Sequence, residues 1–471
     1  MQKVYHCLLF LLLLPNWLMC QSTSVEETID GIAKQQMEAY HLPGLAIGVI
    51  MDGNIVYAKG LGVRNMDTKA AMDEQSLFHM ASVSKPFVAT AIMQLVDAGQ
   101  LSLDDKLITH LPYFKMADKH YQNITLRHVL THTAGIPDVE DYEWENPQFK
   151  FEAVEQYTRS FATEELDFKP GKSFSYSNAS FDIMAGVIAK VSGLTFEEYM
   201  QKYIFEPVGM ENSTFYQPDV PENLANAPHI MDDQLQVAVS DVYPYNRIHA
   251  PSSTLHSNVE DMLRWAQINL SGGQIAGNAI VKEATHKQLT SPQRKIGSTS
   301  NVCLGWFSSD FEGYRLVSHT GGDLGFRTFF GFIPEINMAV VTMTNSEVYP
   351  ASNTASLIFR SFLLDEDYRA WQAPIHFALK DVLMQDGIEA FKKAFWEKKN
   401  GPDAEKYDCS PSKLDELGYA LIDRGQFEPA VEVFKLAIEV DPENAAWYDS
   451  VADAYRAKGD KATATAWYEK A

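Results

Sequence analysis

The chain has 471 residues, of which 46% are hydrophobic, so it can bury a large core and is not globally disordered. Its formal net charge is −23 and no basic run reverses this locally. This acidity argues against nucleic acid as a partner, because phosphates are bound by clustered Lys and Arg. The length favours one large domain with a smaller one.

Residues 1–20 have the pattern of an export signal. A positive start at Met1–Lys3 precedes an apolar stretch that is short for a membrane span. Cleavage after Cys20 would leave Gln21 first. A lipid anchor on Cys20 is the alternative, which Met19 disfavours because that place usually holds a small residue. We therefore expect an exported protein, periplasmic or secreted. We expect no transmembrane segment in the mature chain, since no later stretch is long and apolar enough to span a bilayer.

Residues 25–365 predict a layered α+β domain. Val25–Tyr40 has the spacing of an amphipathic helix, and a hairpin with an Asp52-Gly53 turn follows. Phe78–Gly99 contains a helix with apolar residues nearly all round, which is typical of a buried helix. Late strands are predicted at Phe329–Ile333 and Met338–Thr344. We expect the early and late strands to share one sheet, with a mainly helical insert covering one side.

The segment Ser82-Val83-Ser84-Lys85 places a serine and a lysine one helical turn apart on the same face. An amine in that position can take the proton from the serine hydroxyl, which is a poor nucleophile until something does so. Pro86 falls in the first turn of the predicted helix, which places Ser82 near its N-terminus. Alone the pattern is weak, because Ser410 to Lys413 also fits it.

Two later motifs strengthen the interpretation of the Ser82–Lys85 segment. Tyr176-Ser177-Asn178 supplies a phenol and an amide, although Tyr121 to Asn123 fits the same pattern. His319-Thr320-Gly321 occurs once, and no Lys-Thr-Gly is present. The glycines at 321 and 322 would let a substrate backbone approach closely.

In this order the three motifs resemble the serine acyl-transferase group that includes penicillin-binding proteins, D-alanyl-D-alanine carboxypeptidases, class C β-lactamases and related esterases. The resemblance covers roughly residues 25–360. It implies an antiparallel sheet with flanking helices and a helical insert, and an acyl-enzyme formed on an amide, ester or lactam carbonyl without a cofactor or metal.

The resemblance also implies a role for each motif residue. Ser82 would be the nucleophile, Lys85 its base and Tyr176 a proton donor and acceptor. Substrate contacts would come from Asn178, His319, Thr320 and Gly321. The oxyanion hole would consist of the backbone N–H groups of Ser82 and Gly322.

His319 departs from the resembling β-lactamases, which mostly carry Lys at this place. Histidine is only partly charged near neutrality, so strong recognition of a substrate carboxylate is in doubt and a dedicated β-lactamase is less expected. A peptidase or carboxypeptidase acting on D-amino-acid peptides is the preferred interpretation. The alternatives are a β-lactamase or small-molecule esterase, and a non-catalytic sensor or binding protein. His132, in Leu-Thr-His-Thr-Ala-Gly, is interpreted as structural.

Residues 380–471 predict an all-α segment. Small, glycine and aromatic positions recur with a period of 34 residues, as at Gly425 and Gly459, which resembles tetratricopeptide repeats. Such repeats favour a protein partner, and packing on the catalytic domain is the alternative. A disulfide between Cys303 and Cys409 is not expected, because they lie in different predicted domains.

Overall fold

The computed structural model describes residues 24–275 and 278–471, so the predicted export signal lies outside the described residues. Its strands are β1 (Gly44–Met51), β2 (Asn54–Gly62), β3 (Phe78–His79), β4 (His229–Met231), β5 (Val237–Val239), β6 (His256–Ser257), β7 (Gln274–Ile275), β8 (Asn278–Ala279), β9 (Arg294–Lys295), β10 (Ser300–Val302), β11 (Phe307–Phe311), β12 (Tyr314–Asp323), β13 (Phe326–Ile333), β14 (Met338–Thr344), β15 (Ala373–Pro374) and β16 (Tyr407–Asp408).

The helices up to the end of the large domain are α1 (Val25–Tyr40), α2 (Lys85–Asp97), α3 (Leu107–His110), α4 (Leu126–Leu130), α5 (Glu152–Ser160), α6 (Asn178–Asp182), α7 (Met184–Ser192), α8 (Phe196–Met200), α9 (Glu206–Val208), α10 (Ala250–Ser253), α11 (Val259–Leu270), α12 (Glu283–Thr290) and α13 (Ser352–Leu363). The C-terminal helices are α14 (Ile375–Asp386), α15 (Ile388–Lys399), α16 (Pro411–Asp423), α17 (Phe427–Val440), α18 (Ala445–Lys458) and α19 (Lys461–Tyr468).

Eight strands form the central antiparallel sheet, in the order β2-β1-β14-β13-β12-β11-β10-β9. The first and last strands of the domain are neighbours, with Leu45 opposite Thr344 and Ile50 opposite Ala339. Both β1 and β14 are almost continuously apolar because helices cover both of their faces. The predicted meeting of the two ends of the domain in one sheet, and the α+β fold, are confirmed.

Two layers of helices enclose the sheet. On one face α1 and α13 pack over β1, β13 and β14. The start of α1 is fixed by a capping box in which Ser24 and Glu27 satisfy each other's backbone N–H groups. The other face is covered by α2, α11 and the helices between β2 and β9, which together hold the largest apolar core.

The segment that contains Ser82 differs in detail from its sequence prediction. The α-helix begins at Lys85, and Ser82 lies in a tight 3₁₀ turn, Ala81–Ser84, directly before it. Pro86 is the second residue of the helix, where a missing backbone N–H leaves no hydrogen bond unmade. The helix is buried on nearly every side, as its composition predicts.

The C-terminal helices form antiparallel pairs. Two of these pairs, α16 with α17 and α18 with α19, coincide with the predicted repeat, and α14 with α15 precedes them. Gly418 permits the close approach of α16 and α17, because a Cβ there would collide with the ring of Phe434.

This helical segment packs on the large domain through the hairpin β4–β5. Leu235, at the hairpin tip, is 1% exposed and belongs to the apolar core of the C-terminal helices. Arg424 donates to the carbonyls of Met231 and Asp232, and Lys380 Nζ donates to the carbonyl of Leu235 at 2.6 Å. The hairpin is therefore held by both apolar burial and charged donors.

Within residues 24–275 and 278–471, no single helix is long and apolar enough to cross a membrane, and only the pair Asn178–Ser192 and Phe196–Val208, bent by 73°, reaches that length and apolarity together. Cys303 and Cys409 are both free and buried.

Candidate active site

Ser82 lies in a turn that the surrounding structure holds from two sides. The N–H of Met80 donates to the carbonyl of Leu255 at 2.7 Å, and the carbonyl of Met80 accepts from Thr328 Oγ1 at 2.7 Å. Ala81 adopts a positive φ of 48°, which a residue with a side chain rarely does unless its neighbours enforce it. Ser82 is thereby presented on a strained turn and remains partly exposed.

Lys85 is fully buried, and its amine has three polar neighbours. It donates to Asn178 Oδ1 at 2.6 Å and to the carbonyl of Ser252 at 2.7 Å, and it lies 3.0 Å from Ser82 Oγ. The amide and carbonyl oxygens can only accept, so the amine must donate to both. A neutral amine has two N–H bonds and one lone pair, and that lone pair then faces the Ser82 hydroxyl.

Burial lowers the pKa of Lys85 to about 7, although the carboxylates of Asp182, Asp323 and Asp138 partly oppose this by favouring the ammonium form. At this pKa a large fraction of the amine is neutral near physiological pH, so it can accept a proton from a hydroxyl.

The Tyr176 ring lies over the Lys85 amine, with Nζ 4.9 Å from the ring centroid. Its hydroxyl oxygen is buried and has no hydrogen bond of good geometry within the described residues. Burial raises the pKa of Tyr176, and the nearby Ser82 hydroxyl partly offsets this. The phenol is therefore protonated in the resting site and is free to share its proton.

Asn178 bridges the lysine to a loop on the other side of the cleft. Its Nδ2 donates to the hydroxyl of Tyr142 at 2.7 Å, while its Oδ1 accepts from Lys85. Its backbone N–H donates to Asp138 Oδ1 at 2.5 Å, which fixes the start of α6. The amide orientation is thus set by donors and acceptors on both sides.

His319 is buried, at 3% exposed, on the strand that lines the site. Its Nδ1 lies 2.7 Å from the carbonyl of Thr320, so Nδ1 carries the proton and Nε2 carries the lone pair. Burial lowers its pKa to about 3, and the charge of Lys85 adds to that effect. His319 is therefore neutral and brings no cation to the strand.

The edge of β12 is open beside the motif. Strand β11 pairs with β12 only up to Ser318, so residues 319–323 have no strand neighbour on that side among the described residues. Gly321 faces the nucleophile turn, since a Cβ there would collide with the carbonyl of Met80, and Gly322 is exposed. An extended substrate can lie along this edge with its carbonyl near Ser82.

Sequence reasoning missed four groups around the lysine. Asp138 and Tyr142 hold Asn178, the Ser252 carbonyl accepts from Lys85, and buried Asp182 pairs with His249 at 2.7 Å. Asp138 directly follows Leu130–Pro137, the segment that begins with the Leu-Thr-His-Thr-Ala-Gly motif, and this position is the sequence signal that could have identified it. The other three lie in unremarkable sequence, and only the fold brings them to the lysine.

His132 makes no hydrogen bond to Ser82. It stacks on Tyr176, with ring centroids 4.3 Å apart, and its Nδ1 accepts from the N–H of Ser177. In the described part of the chain, no group of three His, Cys, Asp or Glu side chains is placed to hold a metal ion.

A layered antiparallel sheet in which a partly exposed Ser82 lies beside a buried Lys85, with a tyrosine ring over the lysine and an open strand edge, defines the class of penicillin-binding proteins and serine β-lactamases. The model of the Beta-lactamase family matches residues 29–360, and the chain belongs to that family. A Tetratricopeptide repeat model matches residues 414–444, which span α16 and α17.

Curated relatives share this similarity. The chain is 28% identical over 333 residues to Protein flp of Staphylococcus aureus (strain MW2), covering 69% of this chain and 64% of that protein. It is 28% identical over 312 residues to Penicillin-binding protein 4* of Bacillus subtilis (strain 168), covering 63% of this chain and 66% of that protein. The chain thus spans just under two thirds of the length of these relatives.

Two solved structures have the same fold. The octameric penicillin-binding protein homologue from Pyrococcus abyssi superposes with a TM-score of 0.66 at 26% identity, covering 79% of this chain and 81% of that one. The penicillin binding protein from Bacillus halodurans superposes with a TM-score of 0.59 at 24% identity, covering 70% of this chain and 98% of that one.

Proposed function

We propose that the chain is an exported serine hydrolase that forms an acyl-enzyme at Ser82 on amide or ester carbonyls of peptide-like substrates. The observation that carries the proposal is the environment of Lys85, whose two N–H groups are engaged by oxygens that can only accept while its third position faces Ser82 Oγ at 3.0 Å.

Acylation follows from this geometry. Lys85 takes the hydroxyl proton as Ser82 Oγ bonds to the substrate carbonyl carbon, and the carbonyl oxygen becomes an oxyanion. The backbone N–H groups of Ser82 and Gly322 would stabilise that charge, and one such donor is typically worth about 10²–10³ in rate. Tyr176 donates its proton to the departing amine or alkoxide and regains one from Lys85, which returns the amine to its neutral form.

Deacylation reverses the proton path. A water attacks the Ser82 ester while Tyr176 or Lys85 accepts its proton, and Ser82 recovers its own as the acid product leaves. Asn178 would hold the substrate amide and keep Lys85 in place, because its side chain is fixed by Tyr142 and Asp138.

A D-amino-acid peptidase or carboxypeptidase is the preferred substrate assignment, because the open edge of β12 suits an extended peptide. The specific observation that favours a small-molecule esterase as second candidate is neutral His319, which gives this strand no cation for a substrate carboxylate. A penicilloyl-enzyme that persists would support the peptidase, and one that hydrolyses rapidly would support a β-lactamase instead.

The test is substrate turnover in Ser82→Ala against a matched control, Ser410→Ala. Ser410 also stands three residues before a lysine, yet that lysine pairs with Glu416 at 2.5 Å. We expect loss of turnover in Ser82→Ala with an unchanged circular dichroism spectrum, and full turnover in Ser410→Ala. Equal turnover in the two variants would refute the assignment of Ser82 as the nucleophile. Absence of turnover in the wild-type chain would instead favour a non-catalytic binding protein.

We also propose that the repeat region binds a protein partner, on the strength of the tetratricopeptide match, and that the protein acts outside the cytoplasm. Cell fractionation of the full-length chain, with affinity capture from the exported fraction, tests both proposals. A chain retained in the cytoplasmic fraction would contradict the export proposal.

A further inference from the structure

The carboxylate of Asp323 lies on the same side of the sheet as Ser82. Asp323 is the last residue of β12 and stands two residues after Gly321, so both point to the same face of the strand. Gly321 faces the carbonyl of Met80, directly before the turn that contains Ser82. The Asp323 side chain is only 9% exposed, although it neither attacks the substrate nor takes the hydroxyl proton in the proposed reaction.

Two donors from distant parts of the chain meet on one oxygen of this carboxylate. His79 Nε2 lies 2.7 Å from Asp323 Oδ2, and the Ser253 hydroxyl donates to the same oxygen. His79 Nδ1 is buried without a hydrogen-bond partner among the described residues, which fits a ring that carries its proton on Nε2 and donates it to Asp323. Both donors are buried side chains, so the carboxylate keeps hydrogen bonds in place of the water that it has lost.

The carboxylate thereby joins three segments of the site. His79 ends β3, Ser253 ends α10 and Asp323 ends β12. Strand β3 has further support, because the backbone of Met80 bonds to Leu255 and to the Thr328 hydroxyl. Helix α10 does not have such support on β12. Among the described residues, the hydrogen bond from Ser253 to Asp323 is the only one that joins α10 to β12.

Helix α10 also supplies an acceptor for the lysine. Ser252, the residue before Ser253, has the carbonyl that accepts from Lys85 Nζ at 2.7 Å. This contact engages one of the two N–H bonds of the neutral amine, so it helps to turn the lone pair to the Ser82 hydroxyl. A movement of α10 away from β12 would displace the carbonyl and let the amine rotate.

Given the hydrolase proposed above, on which this inference rests, we propose that Asp323 is a positioning residue for the Ser82–Lys85 pair. Its carboxylate holds α10 against β12, and the Ser252 carbonyl then keeps the lone pair of Lys85 directed at the Ser82 hydroxyl. Asp323 acts through these groups and makes no bond to the substrate.

The charge of Asp323 gives this role a separate signature. Burial is the largest effect on the pKa of Lys85 and lowers it, whereas the carboxylates of Asp182, Asp323 and Asp138 raise it. Without the charge of Asp323 the ammonium form is less stabilised, so the pKa of Lys85 falls and the neutral base persists to lower pH. The other titratable or charged groups that face Lys85 or Asp323 are Tyr142, Tyr176, His132, His319, His79 and Arg327.

The experiment measures the acylation rate of Ser82 by an activated neutral ester as a function of pH. Asp323→Ala removes both the tie and the charge, so it should lower the plateau rate about 10–100-fold and move the midpoint to lower pH. Asp323→Asn keeps an acceptor oxygen, so its plateau should recover to within about threefold of wild type while the midpoint stays low. Ser253→Ala removes the tie and keeps the charge, so it should lower the plateau about tenfold without moving the midpoint.

The control is Asp310→Ala, on an exposed aspartate of β11, which should keep the wild-type plateau and midpoint. A lower plateau in Asp323→Ala and Ser253→Ala, with the midpoint shift confined to the two Asp323 variants, would support the proposal. A merely structural role would leave the midpoint in place, so an unshifted midpoint in Asp323→Ala would overturn it.

A wild-type plateau in Ser253→Ala would also overturn the proposal, and this variant decides alone if Asp323→Ala does not fold. Circular dichroism and urea titration of each variant show whether it is folded under the assay conditions. Acylation of the wild-type chain with unchanged plateaus in the variants removes only the positioning role of Asp323. Absence of acylation in the wild-type chain removes the hydrolase itself.

Discussion

The rate of acylation at Ser82 should follow the titration of Lys85. With a pKa of about 7, the neutral fraction of the amine rises from about 9% at pH 6 to about half at pH 7 and about 91% at pH 8. The pKa is lowered and the neutral form is the base, so activity appears as pH rises through 7. We expect an increase of about tenfold between pH 6 and 8 and a plateau above pH 8.

The assay is the acylation rate with an activated neutral ester, after subtraction of the Ser82→Ala background at each pH. An ordinary lysine would give about a tenfold rise per pH unit through pH 9 without a plateau. Asp182→Asn removes a carboxylate that raises the pKa of Lys85, so it should move the midpoint to lower pH. Asp386→Asn, on exposed Asp386 of α14, should leave it unchanged. A profile that keeps rising through pH 9 would refute the assignment of Lys85 as the base.

Three further predictions concern single side chains. Tyr176→Phe should lower kcat by about 10²–10⁴-fold with an unchanged circular dichroism spectrum, and wild-type turnover would exclude its proton role. Leu235→Ala should lower the free energy of unfolding by about 2–5 kcal/mol in urea titrations, because the Leu235 side chain is only 1% exposed. The control Leu364→Ala should change it by less than about 0.5 kcal/mol, because Leu364 is 36% exposed. Gly321→Ala should lower kcat at least about tenfold, because the added Cβ would push the turn that carries Ser82 away from β12. Gly297→Ala is the control and should leave kcat unchanged, because a Cβ there meets no close neighbour. The same kcat in the two variants would contradict the close packing of Gly321 against that turn.

Helix α1 and the strands β1 and β14 could be predicted from the sequence because their signals are local. The bounds of α1 match the predicted helix, since Ser24 and Glu27 form the capping box and Pro43 follows its end. Strands β1 and β14 were recognisable as apolar runs, and their pairing follows from the need to bury both. The repeat period likewise reflects one packing unit used more than once.

The surroundings of the site could not be predicted in the same way. The motifs place Ser82 and Lys85 together because one helical turn separates them, but nothing local shows that the Ser252 carbonyl accepts from the amine. The neutral state of His319 depends on burial and on its contact with the Thr320 carbonyl, both set by tertiary packing. The docking of Leu235 among the C-terminal helices likewise joins segments that are far apart in the chain.

The most direct test of the account is intact mass spectrometry of the protein after brief exposure to a penicillin and, separately, to an activated ester, with Ser82→Ala as the control. The account predicts a mass increase equal to the acyl group in the wild-type chain and none in Ser82→Ala. An adduct of the same mass and yield in both chains, or consumption of neither compound by the wild-type chain, would contradict it.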